Sequence, residues 1–363
     1  MIFASKTNRV SNTLKILLYL GDAYFINCRV GVGTYHSNII FGLNATYDIV
    51  VPENCSANLP KNANPVHLSK VKKRVISLFK WFLPVNVFFK NYDCIITDSF
   101  SFKKGKCDTR LFMIVHDCMV FTEPKNYTFF QRLYARIASK TFKQADCIIA
   151  VSETTKQALH DIFRLQYNRI KTISNITDFY VESKKEKNFL YIGDMRKTKN
   201  LHNLICGFSA FLKISDSSDN LIIAGRKKYE YELLQNLVEK LKIEDRVVFT
   251  GYVLEEEKRK LFEMSKALVL ISDNEGFGIP LIEAALNGLP VICSDIPVFH
   301  EILDEENAIF VDSKSIRSIS NSFSKIEQKN ISSQACQRLR DKYSLETFHK
   351  KINELVLQSG GKK

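Results

Sequence analysis

The fold is decided by residues 273–284, which read Asp-Asn-Glu-Gly-Phe-Gly-Ile-Pro-Leu-Ile-Glu-Ala. An apolar strand is predicted immediately before this segment, at 267–271. A helix is predicted after the glycines, because Pro280 is tolerated in a first helical turn, where backbone amides lack partners. A strand that runs through such a turn into a helix directs free amides and the positive helix end at one edge of a sheet. That edge suits a phosphate or a sugar hydroxyl.

Two carboxylates in this segment, Glu275 and Glu283, lie eight positions apart, one at the strand end and one on the helix. Because a carboxylate can accept hydrogen bonds from two neighbouring hydroxyls, the pair predicts a sugar at one end of a ligand and a ribose at the other. A purely structural interpretation makes Glu275 a helix-terminal acid and Glu283 a solvated side chain. The apolar neighbours of Glu283 argue against that interpretation.

Outward from this segment, short apolar runs alternate with helical patterns along the chain. Strands are predicted at 14–20, 48–51, 93–97, 111–116 and 147–151, and then at 189–192, 221–224, 247–250, 267–271 and 291–293. Helices are predicted at 34–43, 128–142, 153–163, 200–212, 229–241, 255–264 and 279–287. Apolar strands separated by helices indicate parallel sheets covered on both faces. We therefore predict an α/β protein with two Rossmann-like, doubly wound domains facing a cleft.

The length of 363 residues suits two domains. We place an N-terminal domain at 1–178, a polar linker at 179–187 and a C-terminal domain at 188–345. A C-terminal helix and tail at 346–363 is expected to pack back on the N-terminal domain. Ligands of this architecture bind at the carboxyl ends of the strands, in the cleft between the domains.

Composition excludes several classes of protein. With 45% hydrophobic residues, 14 glycines and 8 prolines, the chain is neither collagenous nor disordered. Its nine cysteines never stand in Cys-x-x-Cys spacing, which predicts reduced thiols of a cytoplasmic protein and neither a disulfide framework nor a cysteine zinc site. We expect no signal peptide and no membrane span, because no apolar run approaches 20 residues.

Positive charge is concentrated in the first half. Residues 1–180 carry 24 basic and 12 acidic side chains, a net charge of +12, whereas residues 181–363 carry 28 and 27. This predicts an anionic partner for the N-terminal half: a membrane surface, a lipid diphosphate or nucleic acid. The alternative is a charge that serves solubility alone. Residues 67–83 form a basic amphipathic pattern that predicts either a membrane-facing stripe or a core-packing helix with a basic outer side.

The segment 273–284 and its continuation Asn-Gly-Leu-Pro-Val-Ile at 287–292 resemble the family 4 retaining glycosyltransferases, which have the two-domain GT-B arrangement. Pro297 and Glu301 extend the match. Further matching motifs are Tyr-Ile-Gly at 191–193, Lys-Asn-Leu at 199–201, Ile-Ala-Gly at 223–225 and Phe-Thr-Gly-Tyr-Val at 249–253. In the N-terminal half, Gly31-Val32-Gly33 resembles the glycine loop of the family, and Val115-His116-Asp117 resembles its His-Asp pair.

The resemblance implies that Glu275 binds the donor sugar, Glu283 binds the ribose, and Arg196 and Lys199 bind the diphosphate. Whether Arg196 or Lys197 is the second phosphate ligand stays open. The resemblance also implies that His116 contacts the donor sugar, and it gives Ser152 the role of a helix N-cap. The implied catalytic residues are His116, Arg196, Lys199 and Glu275. The implied substrate-binding residues are Gly31, Gly33, Asp117, Lys197, Gly225, Tyr252, Val253, Gly276, Phe277, Gly278, Ile279 and Glu283.

We therefore expect a retaining hexosyltransferase that uses no cofactor. Because the chain has no Asp-x-Asp triplet, a metal-independent reaction is expected. Its donor is expected to be a nucleotide diphosphate sugar, with GDP-mannose favoured, and its acceptor a lipid-linked or surface polysaccharide such as lipopolysaccharide O-antigen. We expect a cytoplasmic enzyme, peripheral on the inner face of the membrane. A nucleotide-sugar epimerase of the same fold is one alternative. A nucleic-acid-binding protein is another, although no nucleic-acid motif is present.

Overall fold

The structure is a computed structural model that describes residues 14–20, 31–52, 58–98, 102–181, 187–326, 328–329 and 331–357. Of the nine cysteines, Cys28 and Cys55 lie outside these residues, as do residues 29–30 before Gly31, linker residues 182–186 and tail residues 358–363. Within the described residues, no helix combines the length and apolarity that a membrane span requires.

The first sheet has seven parallel strands in the order β3-β2-β1-β4-β5-β6-β7. Its strands are β1 (Ile16–Tyr19), β2 (Tyr47–Val51), β3 (Ala63–His67), β4 (Cys94–Asp98), β5 (Arg110–Val115), β6 (Cys147–Ala150) and β7 (Ile170–Thr172). The helices between them are α1 (Val32–Gly42), α2 (Lys70–Phe79), α3 (Val85–Phe88), α4 (Met119–Thr122), α5 (Phe129–Ala138) and α6 (Glu153–Phe163).

The second sheet has six parallel strands in the order β10-β9-β8-β11-β12-β13. Its strands are β8 (Asn188–Ile192), β9 (Asn220–Ala224), β10 (Val247–Gly251), β11 (Ala267–Leu270), β12 (Val291–Ser294) and β13 (Ala308–Val311). The remaining helices are α7 (Leu201–Ile214), α8 (Tyr231–Leu241), α9 (Glu255–Glu263), α10 (Ile279–Leu286), α11 (Pro297–Ile302), α12 (Ile316–Ile326), α13 (Ser333–Lys342) and α14 (Leu345–Leu357).

The prediction of two doubly wound parallel sheets is confirmed. The ten predicted strands form, and three strands that the sequence pattern missed, β3, β7 and β13, lie at sheet edges. β3 contains Pro65 and has exposed residues, as an edge position allows. β7 has only three residues. β3 and β7 therefore lack the continuous apolar run that identifies a central strand. β13 has such a run, Ala-Ile-Phe-Val, and was missed despite it.

Strand order reverses at one point in each sheet, between β1 and β4 in the first and between β8 and β11 in the second. In open α/β sheets, the loops on the two sides of such a point diverge and leave a crevice at the carboxyl ends of the strands. The segment 273–284 leaves β11 at one of these points, and Asp98 ends β4 at the other. The topology therefore puts the segment 273–284 at one crevice and Asp98 at the other.

The C-terminal helix α14 packs on α1 of the first sheet. The rings of Phe348 and Tyr35 meet edge to face at 5.3 Å. The Asn353 amide donates to the carbonyl of Gly42 at 2.7 Å and accepts from the Asn44 N–H at 2.8 Å. The chain thus returns to the first sheet after completing the second. The limits of the domains at 178 and 188 stay a proposal.

Candidate active site

Glu275 is paired with Lys199 at the strand-order reversal of the second sheet. Lys199 ends the short turn after β8, and Glu275 lies in the loop after β11. The Lys199 ammonium donates to the Glu275 carboxylate, which also accepts from the Ser272 hydroxyl at 2.9 Å. The Thr198 carbonyl accepts from the Asp273 N–H at 3.0 Å, which ties the same two loops together. The site therefore holds an anion and a cation side by side.

Glu283 is buried within α10, with 4% of its surface exposed. The Lys258 ammonium of α9 donates to its carboxylate, and the Thr177 hydroxyl lies at 3.4 Å. Burial raises the pKa of Glu283, and the nearby Lys258 ammonium opposes that rise. The same ammonium lies 4.2 Å from the centre of the Phe179 ring. The interpretation of Glu283 as a solvated helix residue is therefore wrong.

A cluster of cationic side chains surrounds Asp194, just after β8. Arg226, which follows β9, donates two hydrogen bonds to the Asp194 carboxylate at 2.8 and 2.9 Å. Arg196 lies 3.1 Å from the same carboxylate and is 60% exposed. Burial alone would raise the pKa of Asp194, but Arg226 and Arg196 outweigh it and hold that pKa below its ordinary value. The cluster leaves the Arg196 guanidinium accessible to an anion.

Gly225 brings the loops after β8 and β9 into direct contact. A Cβ at this position would lie 1.8 Å from the Gly193 carbonyl oxygen, so no other residue fits there. Tyr191 supports the same turn, since its hydroxyl donates to the Asp194 carbonyl at 3.1 Å. Gly225 thus shapes the site through backbone packing.

Residues 276–279 join the two crevices. Gly278 has φ +117° and precedes α10, whose first turn contains Pro280 as predicted. A Cβ on Gly276 would lie 2.3 Å from the His116 carbonyl oxygen and 3.2 Å from the Asp117 Cβ. Phe277 is buried and contacts the ring of Tyr343. The loop after β11 therefore lies directly against the end of β5, which places Glu275 and His116 on opposite sides of one close contact.

On the first sheet, His116 is part of a cluster with Asp98 and His36. The His116 Nε2 lies 3.3 Å from Asp98 Oδ1, and the His36 Nε2 lies 3.5 Å from Asp98 Oδ2. Burial would raise the pKa of Asp98, but the two facing imidazoles outweigh it and hold that pKa well below its usual range. The neighbouring Asp117 accepts from the Met119 N–H at 2.9 Å, and burial raises its pKa.

The other predicted residues lie at the margins of the site. Gly31, with φ +49°, precedes α1, and Gly33 is buried in its first turn. Lys197 is exposed, and Ile279 opens α10. Tyr252 and Val253 follow β10, with Tyr252 46% exposed. The structure thus brings Lys199, Arg196, Gly225, Glu275 and Gly276 together and leaves Lys197 and Tyr252 toward solvent.

Sequence reasoning missed four charged residues of the site: Lys258, Arg226, His36 and Asp98. Arg226 directly follows the Ile-Ala-Gly motif, and His36 follows the glycine loop, so adjacency to a motif was a usable signal. Lys258 carried no such signal, because it lies in a continuous run of charged residues at 255–260. The prediction of Ser152 as an N-cap is confirmed, since its hydroxyl accepts from the Thr155 N–H at 3.0 Å.

Glu301 connects the second sheet to α6, the helix whose N-cap is Ser152. Its carboxylate accepts from the N–H groups of Glu153 and Thr154, at 2.8 and 2.5 Å. A carboxylate at a helix N-terminus satisfies unpaired amides and opposes the positive helix end. The side chain from α11 therefore fastens α6 of the first sheet.

Comparison with known proteins gives the family. The profile of Glycosyl transferases group 1 matches residues 173–343, and that of Glycosyltransferase Family 4 matches residues 44–179. The O-antigen chain mannosyltransferase RfbU of Salmonella typhimurium is 31% identical over 288 residues, covering 78% of this chain and 77% of RfbU.

Two solved structures share the fold. Sucrose-phosphate synthase of Thermosynechococcus elongatus has a TM-score of 0.76 at 17% identity, covering 95% of this chain and 99% of that one. Anabaena Alr3699/HepE, solved in complex with UDP and glucose, has a TM-score of 0.69 at 16% identity, covering 95% and 100%. The two doubly wound sheets are thus arranged as in known glycosyltransferase structures, and the chain belongs to the group 1 glycosyltransferases.

Proposed function

We propose that the protein transfers a hexose from a nucleotide diphosphate sugar to a lipid-linked or surface-polysaccharide acceptor. The observation that carries the proposal is the Lys199–Glu275 pair held against the end of β5, where Gly276 touches the His116 backbone. Mannose is the proposed sugar, with GDP-mannose as donor, and O-antigen of lipopolysaccharide is the proposed class of acceptor. The similarity to the O-antigen mannosyltransferase RfbU supports both choices.

We assign each role by charge. The donor diphosphate attracts Lys199 and the exposed Arg196, and the movement of Lys199 frees Glu275 to accept from sugar hydroxyls. Glu283 accepts from the ribose hydroxyls once the ribose shares the carboxylate with Lys258. A departing nucleoside diphosphate gains negative charge in the transition state, so fixed cations beside it accelerate the reaction. His116 contacts the donor sugar from the opposite side.

We propose that the reaction needs no divalent metal and retains the anomeric configuration, with the diphosphate accepting the proton of the acceptor on the same face of the sugar. Lys199, Arg196 and Arg226 supply the positive charge that a metal would otherwise contribute. Transfer should therefore survive EDTA. Complete loss of transfer in EDTA, restored by Mg²⁺ or Mn²⁺, would refute the metal-independent reaction.

A donor screen tests the function directly. Thermal unfolding with GDP, UDP and dTDP sugars should show the largest rise in melting temperature with the true donor, because a ligand that binds only the folded state stabilises it. Radiolabelled hexose should then move from that donor into an acceptor-lipid fraction. Conversion of the donor sugar without an acceptor would indicate an epimerase, and a shift with oligonucleotides alone would indicate a nucleic-acid-binding protein.

We also propose that α2 and α5 hold the enzyme on an anionic membrane surface, where its acceptor resides. Only Ile76 of α2 is buried, while several apolar side chains on and after this helix are exposed: Val71, Val75, Leu78, Phe79 and Phe82. Phe129 and Phe130 of α5 are 65% and 79% exposed. The rings of Trp81 and Tyr134 meet at 4.7 Å, so the two helices form one surface. Exposed apolar side chains beside lysines are typical of interfacial helices, and their exposure speaks against the core-packing alternative.

Liposome co-sedimentation tests the membrane proposal. Each basic side chain near an anionic surface contributes about 1 kcal/mol, and salt screens the attraction over about 8 Å at physiological ionic strength. Binding should rise with anionic lipid and fall with salt. It should weaken when Lys70, Lys72, Lys73 and Arg74 are all changed to Gln. Equal sedimentation of wild type and the quadruple variant, or no binding by either, would assign the charge to solubility.

A further inference from the structure

We propose that His36, Asp98 and His116 form a binding site for a transition-metal ion of the Zn²⁺ class, at the cleft edge of the first sheet. His36 lies in the first turns of α1, Asp98 is the last residue of β4, and His116 directly follows β5. Their ligand atoms, one from each residue, all lie within 4.8 Å of one another. Two imidazoles and one carboxylate are the ligand types that Zn²⁺ prefers when no thiolate is present.

The spacing of the ligand atoms fits tetrahedral coordination. Ligands 2.0 to 2.2 Å from a Zn²⁺ ion at the centre of a tetrahedron lie about 3.3 to 3.6 Å from one another. The measured separations are 3.3 Å between His116 Nε2 and Asp98 Oδ1, and 3.5 Å between His36 Nε2 and Asp98 Oδ2. These two separations involve different oxygens of Asp98, and the imidazole nitrogens lie within 4.8 Å of each other, so a bound ion would draw the three groups closer together.

The hydrogen bonds of the imidazoles favour the same conclusion. His36 is fully buried, and among the described residues neither of its ring nitrogens has a well-formed hydrogen bond. The His116 Nε2 is likewise buried without one. The two Nε2 atoms face the Asp98 carboxylate without good hydrogen-bond geometry. Buried polar atoms in native proteins nearly always have well-formed partners, and a metal ion between the three groups would provide them.

The site has an entrance and an open coordination position. The side chains of Asp98 and His116 are 26% and 17% exposed, so a metal ion can reach them from the cleft while His36 closes the site from behind. Three protein ligands leave the fourth tetrahedral position to water or another small ligand. A bound ion would hold the His116 imidazole away from the donor sugar and inhibit transfer. That consequence rests on the proposed function, whereas metal binding does not.

Metal binding is tested on the untagged full chain, stripped with a chelator and dialysed. Zn²⁺ competition against a chromophoric chelator should give one site per chain in wild type, weakened at least about 100-fold in His36→Gln. Co²⁺ should give wild type the visible absorption of a tetrahedral site, absent from His36→Gln. His300→Gln is the matched control, because His300 pairs with Asp295 at 2.7 Å on the surface and lies on α11. It should bind both metals as wild type does.

Several outcomes overturn the site. Equal Zn²⁺ affinity in wild type and His36→Gln, or no stoichiometric binding, would leave Asp98 as a residue that only orients the two imidazoles. Thermal unfolding checks that His36→Gln is folded. If it is not, Asp98→Asn removes a different ligand and replaces it in the same measurements. Zn²⁺ should inhibit transfer by wild type and spare the His36→Gln variant. Stoichiometric binding without inhibition would keep the metal site and contradict the proposed role of His116.

Discussion

Carboxylates at the cleft edges of the two sheets have different kinds of partner. On the second sheet, three carboxylates are each paired with a lysine or an arginine: Glu275 with Lys199, Glu283 with Lys258, and Asp194 with Arg226. On the first sheet, Asp98 faces two imidazoles and Asp117 faces a backbone amide. Cations on long, flexible side chains can exchange a carboxylate for a phosphate, whereas imidazoles on short side chains keep their place.

This difference is consistent with different binding roles for the two sheets. In our proposal, the second sheet takes up an anionic donor by exchanging ion pairs with its carboxylates. The first sheet offers a fixed wall of buried groups, and its basic charge lies on outer helices such as α2. The half with little net charge therefore binds the charged ligand, and the half with the excess charge meets the acceptor surface in our proposal.

Loss of the Lys199 cation should have the largest effect. Lys199→Ala should lower kcat about 100-fold or more, by analogy with removing one fixed donor from a developing anion. Lys266→Ala is a matched control, because Lys266 pairs with the buried Asp219 at the amino-terminal ends of β11 and β9, whereas the site lies at the carboxyl ends of the strands. The control should lower the melting temperature and preserve kcat. Similar losses of kcat in both variants would mean that ion pairs of this sheet act only through stability.

The same residues show how much of the fold and of the site can be predicted from the sequence. The strand–turn–helix pattern around Glu275 and Glu283 was predicted correctly, because a single segment contains the whole pattern. Their role at one ligand stays a prediction. Burial of Glu283 followed from its apolar neighbours. Ten of the thirteen strands in the described residues were also predicted, and the three that were missed all lie at sheet edges.

The site residues that the sequence did not predict are brought together by packing between distant segments. Lys258 stands in a run that reads Glu-Glu-Glu-Lys-Arg-Lys, and only the rotation of α9 against α10 selects it as the partner of Glu283. His36, Asp98 and His116 come from three elements that meet only in the folded sheet. The amphipathic pattern at 67–83 could not distinguish a core helix from an exposed one, because both have the same periodicity.

Substitutions of the two glutamates should affect different steps, donor binding in one case and turnover in the other. Glu283→Ala should weaken donor binding about tenfold or more, because loss of a hydrogen bond to a charged group costs about 1.5 to 3 kcal/mol and ribose contacts are alike in ground and transition states. Glu275→Ala should mainly lower kcat, since its contact tightens at the reacting sugar. Calorimetry of donor binding and steady-state kinetics separate the two. Unchanged donor affinity in a folded Glu283→Ala variant would remove the ribose assignment.

A smaller effect is expected at the contact between the sheets. Gly276→Ala places a Cβ against the His116 carbonyl oxygen, so the loop after β11 must move by a fraction of an ångström. Small displacements of a reacting group are costly, so we expect kcat to fall about tenfold, and the melting temperature should also fall because the clash is with backbone. Asn274→Ala is the neighbouring control, because it removes only a 3.4 Å contact with Thr122. Wild-type kcat in Gly276→Ala would show that the two crevices work without this contact.

The smallest effect should appear in the pH dependence of donor binding. Only the ionised carboxylate of Glu283 accepts from ribose hydroxyls at both oxygens. Burial raises the pKa of this carboxyl and the Lys258 ammonium opposes the rise, so Lys258→Met should raise the pKa further. Protonation then begins at a higher pH. As pH is lowered from neutral, Lys258→Met should therefore lose donor affinity earlier than wild type, while Lys258→Arg, which keeps the charge, should follow wild type. Calorimetric titrations across the acidic range measure this, and superimposable curves for wild type and Lys258→Met would contradict the role given to the Lys258–Glu283 pair.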